Sequence, residues 1–204
     1  RVAYVSDAGT PAISDPGEEL VALCAAHGVT VIAIPGPCAL IGALALSGLP
    51  TGRFTFEGFL AMNKKNRRAH LASLEGEERT MLFYEAPHKL PATLCDLRDA
   101  FGSHRRVALC RELTKLHEEV RRTTLGEAAA YYAQSSPKGE FVLVVEGCPP
   151  KPEEAPTLED GVALVEALRR EGLSVRDAVR RTAQERGLSR KALYDLVISN
   201  QSSK

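Results

Sequence analysis

A chain of 204 residues is long enough for one large domain or two small ones, and its hydrophobic fraction of 44% favours a folded core over disorder. Because 26 basic and 26 acidic side chains cancel to a net charge of zero, a nucleic-acid partner would have to meet a local basic patch. No apolar run is long enough to span a bilayer and no signal peptide pattern is present, so we expect a cytoplasmic protein without a membrane partner.

The cysteines and histidines show no metal-binding pattern. None of the five cysteines belongs to a CxxC pair and four lie in apolar runs, which predicts buried free thiols in a reducing compartment. The histidines lack the HExxH spacing, so no metal site is predicted. The cysteines are Cys24, Cys38, Cys95, Cys110 and Cys148.

Residues 1–50 predict the order β-α-β-α. A strand at Val2–Val5 leads to a helix at Pro16–His27, and a second strand at Val29–Ile34 leads to an apolar helix at Ala39–Ser47. The second strand is apolar throughout, so both of its faces should be covered, as in a parallel sheet. We expect these residues to form the carboxyl-terminal part of a first α/β domain.

Each of the two predicted strands ends in a turn rich in glycine and proline. The first turn contains Gly9 and Pro11, and beyond it Asp15 is placed to cap the helix while Glu18 completes a capping box. The second turn reads PGPCA at residues 35–39. Parallel strands of one sheet bring such turns to the same edge, which predicts a ligand crevice; the alternative is that both are only sharp connections.

The chain begins with Arg1, and a predicted strand follows at once. Strands of a parallel sheet normally have neighbours on both sides, whereas this half supplies only two strands. We therefore expect the sequence to be the carboxyl-terminal part of a longer protein. We also expect the isolated chain to be inactive.

A change of pattern marks the start of a second unit, predicted at residues 51–148. Leu49 to Gly58 lacks helical periodicity and contains Pro50 and Gly52, so we interpret it as a crossing between domains. A basic run without a nearby acid follows, which is either a solvated helix start or a phosphate contact. Its cations are Lys64, Lys65, Arg67 and Arg68.

Strands and helices alternate less regularly in this unit, which predicts an α+β arrangement with a mixed sheet. Glu140–Glu146 is a strongly β-branched strand, and Glu119–Leu125 alternates as an edge strand does. The other predicted elements are strands at Thr80–Glu85 and Arg106–Cys110 and helices at His88–Phe101 and Glu127–Gln134.

Residues 149–156 read PPKPEEAP after Cys148 and are a linker by composition. Residues 157–204 then predict three short helices, of which the last two resemble a helix-turn-helix. Packing alone explains this pattern, and contact with RNA or DNA is the alternative. The predicted helices are Leu158–Glu171, Val175–Arg186 and Arg190–Ser199.

Polar residues follow two strands of the second unit. FYEAPH at residues 83–88 and RELTK at residues 111–115 each stand where a predicted strand ends. Together with the two turns of the first unit, they predict a cleft between two α/β units. The sequence has no Walker motif, no GxGxxG and no GxSxG, so kinase, dinucleotide dehydrogenase and serine hydrolase functions have no support.

Five motifs carry a resemblance to a known family: SDAGTPxISDPG, PGPCAxxxAL, FYEAPHKL, RELTKLHEE and KGEFVLVVEG, in this order. The chain resembles the tetrapyrrole-methylase family of S-adenosylmethionine-dependent methyltransferases, and within it the branch that modifies small-subunit ribosomal RNA. The resemblance implies a parallel α/β first domain, a mixed-sheet second domain and a small helical extension. It also implies that S-adenosylmethionine binds between the two domains.

The same resemblance implies 2′-O-methylation of a cytidine ribose in the decoding region of 16S ribosomal RNA, in the small ribosomal subunit, by a protein that is commonly a homodimer. Two alternatives stay open. One is a methyltransferase of the same fold that acts on a corrin or porphyrin precursor. The other is a non-enzymatic nucleic-acid-binding protein built on the helical tail.

A ribose hydroxyl is a poor nucleophile that benefits from a general base or a nearby cation. Of the candidates Glu85, His88, Glu112 and Lys115, we expect Glu112 and Lys115 to line the catalytic site. The cofactor-binding residues that the resemblance implies are Gly9, Thr10, Ile13, Cys38, Ala39, Tyr84, Glu85 and Gly139, with Thr10 in the place of a family acid. The expected RNA-binding residues are Lys64, Lys65, Arg67, Arg68 and Arg111.

Overall fold

The computed structural model describes residues 1–149 and 157–202, with side chains to residue 200. The described residues fall into two units, one ending at residue 149 and one beginning at residue 157. The predicted linker lies, apart from its first residue, outside the described residues. In the part of the chain that is described, no helix combines the length and the apolar character that a membrane crossing requires.

Helices and strands alternate along the first unit. Its helices are α1 (Glu18–Ala26), α2 (Ala39–Ser47), α3 (Lys64–Ser73), α4 (Leu90–Phe101) and α5 (Leu125–Ala133). Its strands are β1 (Phe54–Phe59), β2 (Thr80–Glu85), β3 (Arg106–Arg111), β4 (Glu119–Thr124) and β5 (Phe141–Val145). The second unit consists of α6 (Leu158–Arg170), α7 (Val175–Arg186) and α8 (Arg190–Ser202).

The five strands form one sheet in the order β1-β2-β5-β3-β4. β1 runs parallel to β2, whereas β5 lies antiparallel to both β2 and β3, and β4 lies antiparallel to β3 at the edge. The predicted mixed sheet is therefore confirmed. All five strands lie in the second predicted unit. α2, from the first predicted unit, packs on this same sheet, so the domain boundary at residue 50 stays a prediction.

Alternate side chains of the strands enter two separate cores. On one face Phe83 and Leu143 pack with Leu94 of α4 and Leu125 of α5, all fully buried. On the other face Leu82, Ala108 and Val144 pack with Leu40, Ala43 and Leu44 of α2. β5 supplies both cores and is buried along its whole length, which explains its uniformly apolar sequence FVLVV.

The two strands predicted in the first fifty residues do not form. Val2–Val5 and Val29–Ile34 have no regular secondary structure and no pairing partner among the described residues, and Val2 and Ile34 are 98% and 81% exposed. An isolated extended segment gains no ladder hydrogen bonds and no buried face, so its β propensity alone does not make a strand.

The first helix begins later than expected. It starts at Glu18 behind Gly17, whose backbone has φ 129° and which offers no side-chain cap, so the predicted cap by Asp15 and the capping box are wrong. The position of Gly17 is closely approached by Tyr4, whose Cε1 would lie 2.8 Å from an added Cβ. The close ring favours glycine here, and the helix starts without a side-chain cap.

The crossing predicted at Leu49–Gly58 contains a strand. Residues from Phe54 onward pair with β2, and the register shifts between Phe56 and Gly58, where Gly58 has φ 63°. A bulge of this kind interrupts the period of two that would have indicated a strand. The crossing between domains stays a prediction, and this strand begins within it.

Most other elements match the prediction closely. The bounds of α2, α7 and β2 are the predicted ones, and the remaining ends differ by a few residues. α5 begins early at Leu125 because Thr124 caps it through a complete capping box with Glu127. All five cysteines are free, as predicted, but only Cys110 is buried; burial raises its pKa to about 11.

The second unit is a three-helix bundle with its own core. Val165, Ala178, Val179 and Leu193 are at most 1% exposed in this core. Thr157 begins α6 with a capping box, and Ser174 caps α7 as predicted. The three predicted helices are thus confirmed.

Candidate functional site

One edge of the sheet collects most of the predicted site residues. Because β1, β2 and β3 run in the same direction, their carboxyl ends meet there, together with the start of β5 that lies antiparallel between two of them. In the register, Glu85 stands opposite Phe141, and Phe141 stands opposite Arg111. Loops that leave this edge can therefore build one site.

Tyr84 joins this edge to the start of α2. Its hydroxyl oxygen accepts a hydrogen bond from the Leu40 N–H at 3.2 Å, and its ring meets Phe56 and Phe59 edge-on at 4.9 and 5.7 Å between centroids. Burial is the main cause that raises the pKa of Tyr84, so the phenol stays neutral at physiological pH. Cys38, the N-cap residue of α2, packs against the same core.

The two glycine- and proline-rich turns contact each other. The Thr10 hydroxyl donates to the carbonyl of Pro37 at 3.1 Å. Gly9 has φ 76°, and a Cβ there would lie 3.5 Å from the same carbonyl oxygen. The structure therefore brings Gly9 and Thr10 to the turn that carries Cys38 and Ala39. Ile13 is 42% exposed on the continuation of the first turn.

A second group forms where β3 ends. The Lys115 ammonium donates to Glu112 Oε1 at 3.0 Å and to Glu140 Oε2 at 2.9 Å, and the Glu140 N–H donates to the same Glu112 oxygen at 2.9 Å. These donors lower the pKa of Glu112, the backbone N–H of Glu140 most of all. The two carboxylates raise the pKa of Lys115. At neutral pH the group holds two anions around one cation.

The backbone of this loop is strained. Glu112 and Thr114 have φ 50° and 67°, which non-glycine residues rarely adopt. Gly139 has φ 84°, and the Glu112 side chain occupies the space that a Cβ of Gly139 would need. Leu113 packs towards Gly42 of α2, so the loop contacts the helix whose first turn is hydrogen-bonded to Tyr84. The structure thus brings Glu112, Lys115 and Gly139 together, and their common role in a site stays a prediction.

Glu85 lies apart from Tyr84. Neighbouring strand residues point to opposite faces, and Glu85 enters the core on the α4 side, where it is 3% exposed. Its carboxylate accepts hydrogen bonds from the Ala86 N–H at 2.8 Å and from the Thr93 hydroxyl. The structure does not bring this predicted cofactor residue to the Tyr84 face.

The four cations of the basic run also lie in two different environments. Asn63 caps α3 by accepting from two backbone N–H groups, which leaves Lys64, Lys65 and Arg68 exposed near the start of the helix. Arg67 turns inward: its guanidinium donates to Thr93 Oγ1 at 2.7 Å, and its Nε lies 2.6 Å from Asp96 Oδ2. Its side chain is only 12% exposed, so it anchors α3 on α4.

Arg111 pairs with Glu119 rather than with its neighbour Glu112. Its NH1 lies 3.4 Å from Glu119 Oε2, on the face of the sheet that α5 covers. Sequence reasoning missed Thr93, which connects Glu85 to Arg67. A fully buried threonine within an apolar helix face was the available signal.

The first unit is an α/β fold in which helices cover both faces of a mixed sheet, and solved methyltransferases share this fold. The chain is similar to the crystal structure of the methyltransferase CobJ, with a TM-score of 0.53 and 20% identity over 69% of this chain and 62% of that one. It is also similar to the cobalt precorrin-4 methyltransferase CbiF, with a TM-score of 0.52 and 15% identity over 68% and 61%. At these identities the likeness concerns the fold alone.

Sequence comparison defines the family. The family model described as Tetrapyrrole (Corrin/Porphyrin) Methylases matches residues 1–129, and the one described as the RsmI C-terminal HTH domain matches residues 155–201. The chain belongs to the tetrapyrrole methylase family, whose methyl donor is S-adenosylmethionine.

Two curated relatives cover almost the whole chain. A Synechocystis protein named Ribosomal RNA small subunit methyltransferase I is 49% identical over 196 residues, which are 96% of this chain and 70% of that protein. A Pseudomonas aeruginosa protein of the same name is 41% identical over 202 residues, which are 98% and 71%.

The residues around Tyr84 fit the methyl donor. Its adenine needs an apolar and aromatic surface, and Tyr84 with Phe56 supplies one beside the start of α2. Its hydroxyl, amino and carboxylate groups need polar partners, which the backbone of the two touching turns offers at Gly9, Thr10 and Ala39. Among the described residues, no group of three or more His, Cys, Asp or Glu could hold a metal ion.

Proposed function

We propose that this chain belongs to an S-adenosylmethionine-dependent enzyme that methylates the ribose 2′-oxygen of a cytidine in the decoding region of 16S ribosomal RNA. One observation carries the proposal: nearly the whole chain, including its tail, matches relatives named Ribosomal RNA small subunit methyltransferase I at 41–49% identity. The partner is then the small ribosomal subunit, and the place of action is the cytoplasm.

The proposed cofactor site lies around Tyr84. The aromatic pair of Tyr84 and Phe56 would hold the adenine, while Gly9, Thr10, Cys38 and Ala39 would hold the polar groups through their turns. Ile13 and Gly139 complete the proposed set of cofactor-binding residues. Glu85 supports the site from the other face of β2 by fixing the Ala86 N–H. S-adenosylmethionine, when bound, supplies a methyl group on a positively charged sulfur.

The reaction is a displacement in which most of the catalysis is positioning. S-adenosylmethionine would supply the methyl carbon to the ribose oxygen and leave as a neutral thioether, while the hydroxyl proton would pass to solvent. Lys115 is the group we assign to the ribose oxygen as a hydrogen-bond donor, because its ammonium has three N–H groups and uses two of them for Glu112 and Glu140. Glu112 already accepts two hydrogen bonds, so its proposed role is to hold Lys115 in place.

The exposed cations of α3 are the proposed RNA contacts. Lys64, Lys65 and Arg68 project from the start of this helix without an ion pair among the described residues, which suits phosphate binding. Arg67 is proposed to orient that turn through Thr93. Reversing Lys64, Lys65 and Arg68 to glutamate should weaken subunit binding steeply and spare the cofactor. Unchanged binding across several salt concentrations would exclude these residues from the interface.

The deciding experiment follows a labelled methyl group from S-adenosylmethionine to unmodified small ribosomal subunits, with the intact protein and the 204-residue chain side by side. A labelled ribose methyl on a decoding-region cytidine is the expected result, and Lys115→Met should lower kcat with little change in subunit affinity. Label on another nucleotide or on a base would contradict the proposed position. The homodimer stays a prediction, which sedimentation equilibrium tests.

A second candidate has one observation in its favour, the shared fold of CobJ and CbiF. A corrin precursor added to the same assay separates the two functions. A small planar substrate needs neither the exposed basic turn of α3 nor a separate helical unit. Label on the corrin precursor and none on the subunit would establish this second function.

A further inference from the structure

We propose that Arg111, Arg121 and Tyr131 form a second RNA-binding surface, which holds the backbone and one base of the substrate strand beyond the methylated nucleotide. We call these three residues the arginine-tyrosine patch. The proposal rests on the proposed function, because it takes the RNA substrate as given. It adds Arg121 and Tyr131, which neither the motifs nor the basic run of α3 contain.

The patch is built around a stacked pair. The Arg121 guanidinium lies over the Tyr131 ring, 3.9 Å from its centroid, and Tyr131 is 50% exposed. One face of the ring is therefore covered by a planar cation while the side chain remains open to solvent. Arg111 completes the group, because both arginines reach the carboxylate of Glu119.

The arginines of the patch use little of their hydrogen-bonding capacity. A guanidinium has five N–H donors, yet among the described residues Arg111 and Arg121 each make one long hydrogen bond, of 3.4 and 3.3 Å, to the same carboxylate. Both Nε atoms are buried without an acceptor among the described residues. Two cations share one anion, so the patch keeps a positive charge, and because the Nε atoms are buried the unused donors that a ligand can reach are those of the terminal nitrogens.

A structural ion pair in the same unit shows the contrast. Arg79 donates two side-chain hydrogen bonds to its own partner, Glu77, at 2.8 and 2.6 Å. That pair satisfies both charges in a bidentate geometry. The looser arrangement around Glu119 is instead suited to an added anion, and a phosphate accepts two parallel N–H groups from a guanidinium.

The arginine-tyrosine patch lies at the edge of the sheet where β3 ends, which is the edge that carries Glu112 and Lys115. Arg111 directly precedes Glu112, and Tyr131 is in the last turn of α5, from which the chain returns to Gly139 and Glu140. An RNA strand with its reactive ribose at Lys115 would therefore continue past the patch on the α5 face. Aromatic rings stacked with arginine bind single-stranded bases without a strict sequence preference.

The test measures binding of unmodified small subunits to the intact protein at several salt concentrations. Arg121→Gln, Arg111→Gln and Tyr131→Leu should each weaken binding about tenfold, and each arginine change should lower the slope of log K against log salt by about one. Arg121→Lys should restore the slope but not the full affinity, because a lysine does not stack as a guanidinium does. Affinity for S-adenosylmethionine should stay unchanged in all four.

The matched control is Arg98→Gln. Arg98 is a partly exposed arginine on α4 that pairs with its neighbour Asp99, outside the patch. Its substitution removes the same charge from the protein and should leave binding and slope unchanged. Patch variants that bind like Arg98→Gln would overturn the proposal. The stacking role of the ring would be contradicted if Tyr131→Phe, which keeps the ring, weakened binding as much as Tyr131→Leu does.

Failure of the patch can be told apart from failure of the proposed function. Binding is measured without methyl transfer, and the melting temperature of each variant checks its folding. Normal methylation of the subunit by patch variants with unaltered binding contradicts the patch alone. If the unaltered protein binds neither the subunit nor 16S ribosomal RNA, both proposals are wrong.

Discussion

Two apolar runs in this molecule, VTVIAI at residues 29–34 and FVLVV at residues 141–145, have nearly the same β propensity and opposite environments. Val31, Ile32 and Ile34 are 51%, 77% and 81% exposed, whereas every residue of β5 is at most 6% exposed. The difference does not come from composition. It comes from what lies beside each run.

β5 has β2 on one side and β3 on the other, with α2 over one face and α4 and α5 over the opposite face. The run at Val29–Ile34 has no such neighbour among the described residues. Pairing and coverage, rather than the side chains by themselves, make an apolar run a strand. This comparison can be tested by placing the same change in both regions.

The largest effect is expected from a charge introduced into each run. Leu143→Asp places a carboxylate in the centre of the sheet at a fully buried position and should destabilise the first unit by about 4 kcal/mol or more. Ile32→Asp, at a 77% exposed position, should change the free energy of unfolding by less than about 0.5 kcal/mol. Urea denaturation followed by far-UV circular dichroism measures both, and equal effects would contradict the comparison.

The next effect concerns two glycines with positive φ. Gly28, with φ 68°, has open space around its missing Cβ, so Gly28→Ala should cost only about 1 kcal/mol of backbone strain. Gly139, with φ 84°, has the Glu112 side chain in that space, so Gly139→Ala should cost about 3 kcal/mol. It should also displace Glu112 from Lys115, which a loss of methyl transfer larger than that of Gly28→Ala would report.

A smaller effect is expected at the hydrogen bond that joins Tyr84 of β2 to the first turn of α2. Tyr84→Phe removes the hydroxyl that accepts from the Leu40 N–H and should destabilise the protein by about 1 kcal/mol. It should also weaken S-adenosylmethionine binding, which isothermal titration calorimetry measures. Tyr4→Phe, a change to an exposed tyrosine of the first region, is the control and should leave both quantities unchanged.

The smallest effect is a dependence on pH. Hydrogen bonds and charge from Arg79 lower the pKa of Glu77 from 4.5 to about 2. A lowered pKa stabilises the folded state above the ordinary value, and that contribution disappears as the pH falls towards the folded value. Glu77→Gln should therefore flatten the loss of stability between pH 4.5 and about 2. Glu19→Gln, in the exposed α1, should leave the acid limb of the curve unchanged.

Prediction from sequence worked best where a local pattern decides the structure. The apolar period and flanking glycines predicted α2 and α7, and the β-branched run predicted β5. Prediction did not work where pairing with a strand distant in sequence decides whether a segment becomes a strand. Val29–Ile34 lacks a pairing neighbour among the described residues, and the strand at Phe54–Phe59 is stabilised by β2 despite a bulge that breaks its alternation.

The candidate site shows the same limit. The resemblance led to Tyr84 and the two turns, which the structure brings together, but no spacing rule could show that Thr93 would draw Arg67 inward from a run of four cations. The separation of Tyr84 from Glu85 was open to sequence reasoning, because adjacent strand residues face opposite sides. The underused donors of Arg111 and Arg121 depend on distances that only the fold supplies.

The position of β5 has a consequence for synthesis on the ribosome. This strand is the last of the five to be translated, yet it lies between the halves β1-β2 and β3-β4 and joins them. Until residue 145 leaves the exit tunnel, the edges of β2 and β3 that later pair with β5 are unpaired in the nascent chain, and they can pair with strands of other chains. A pause just before this segment would prolong that hazard, whereas rapid completion would close both edges in one step.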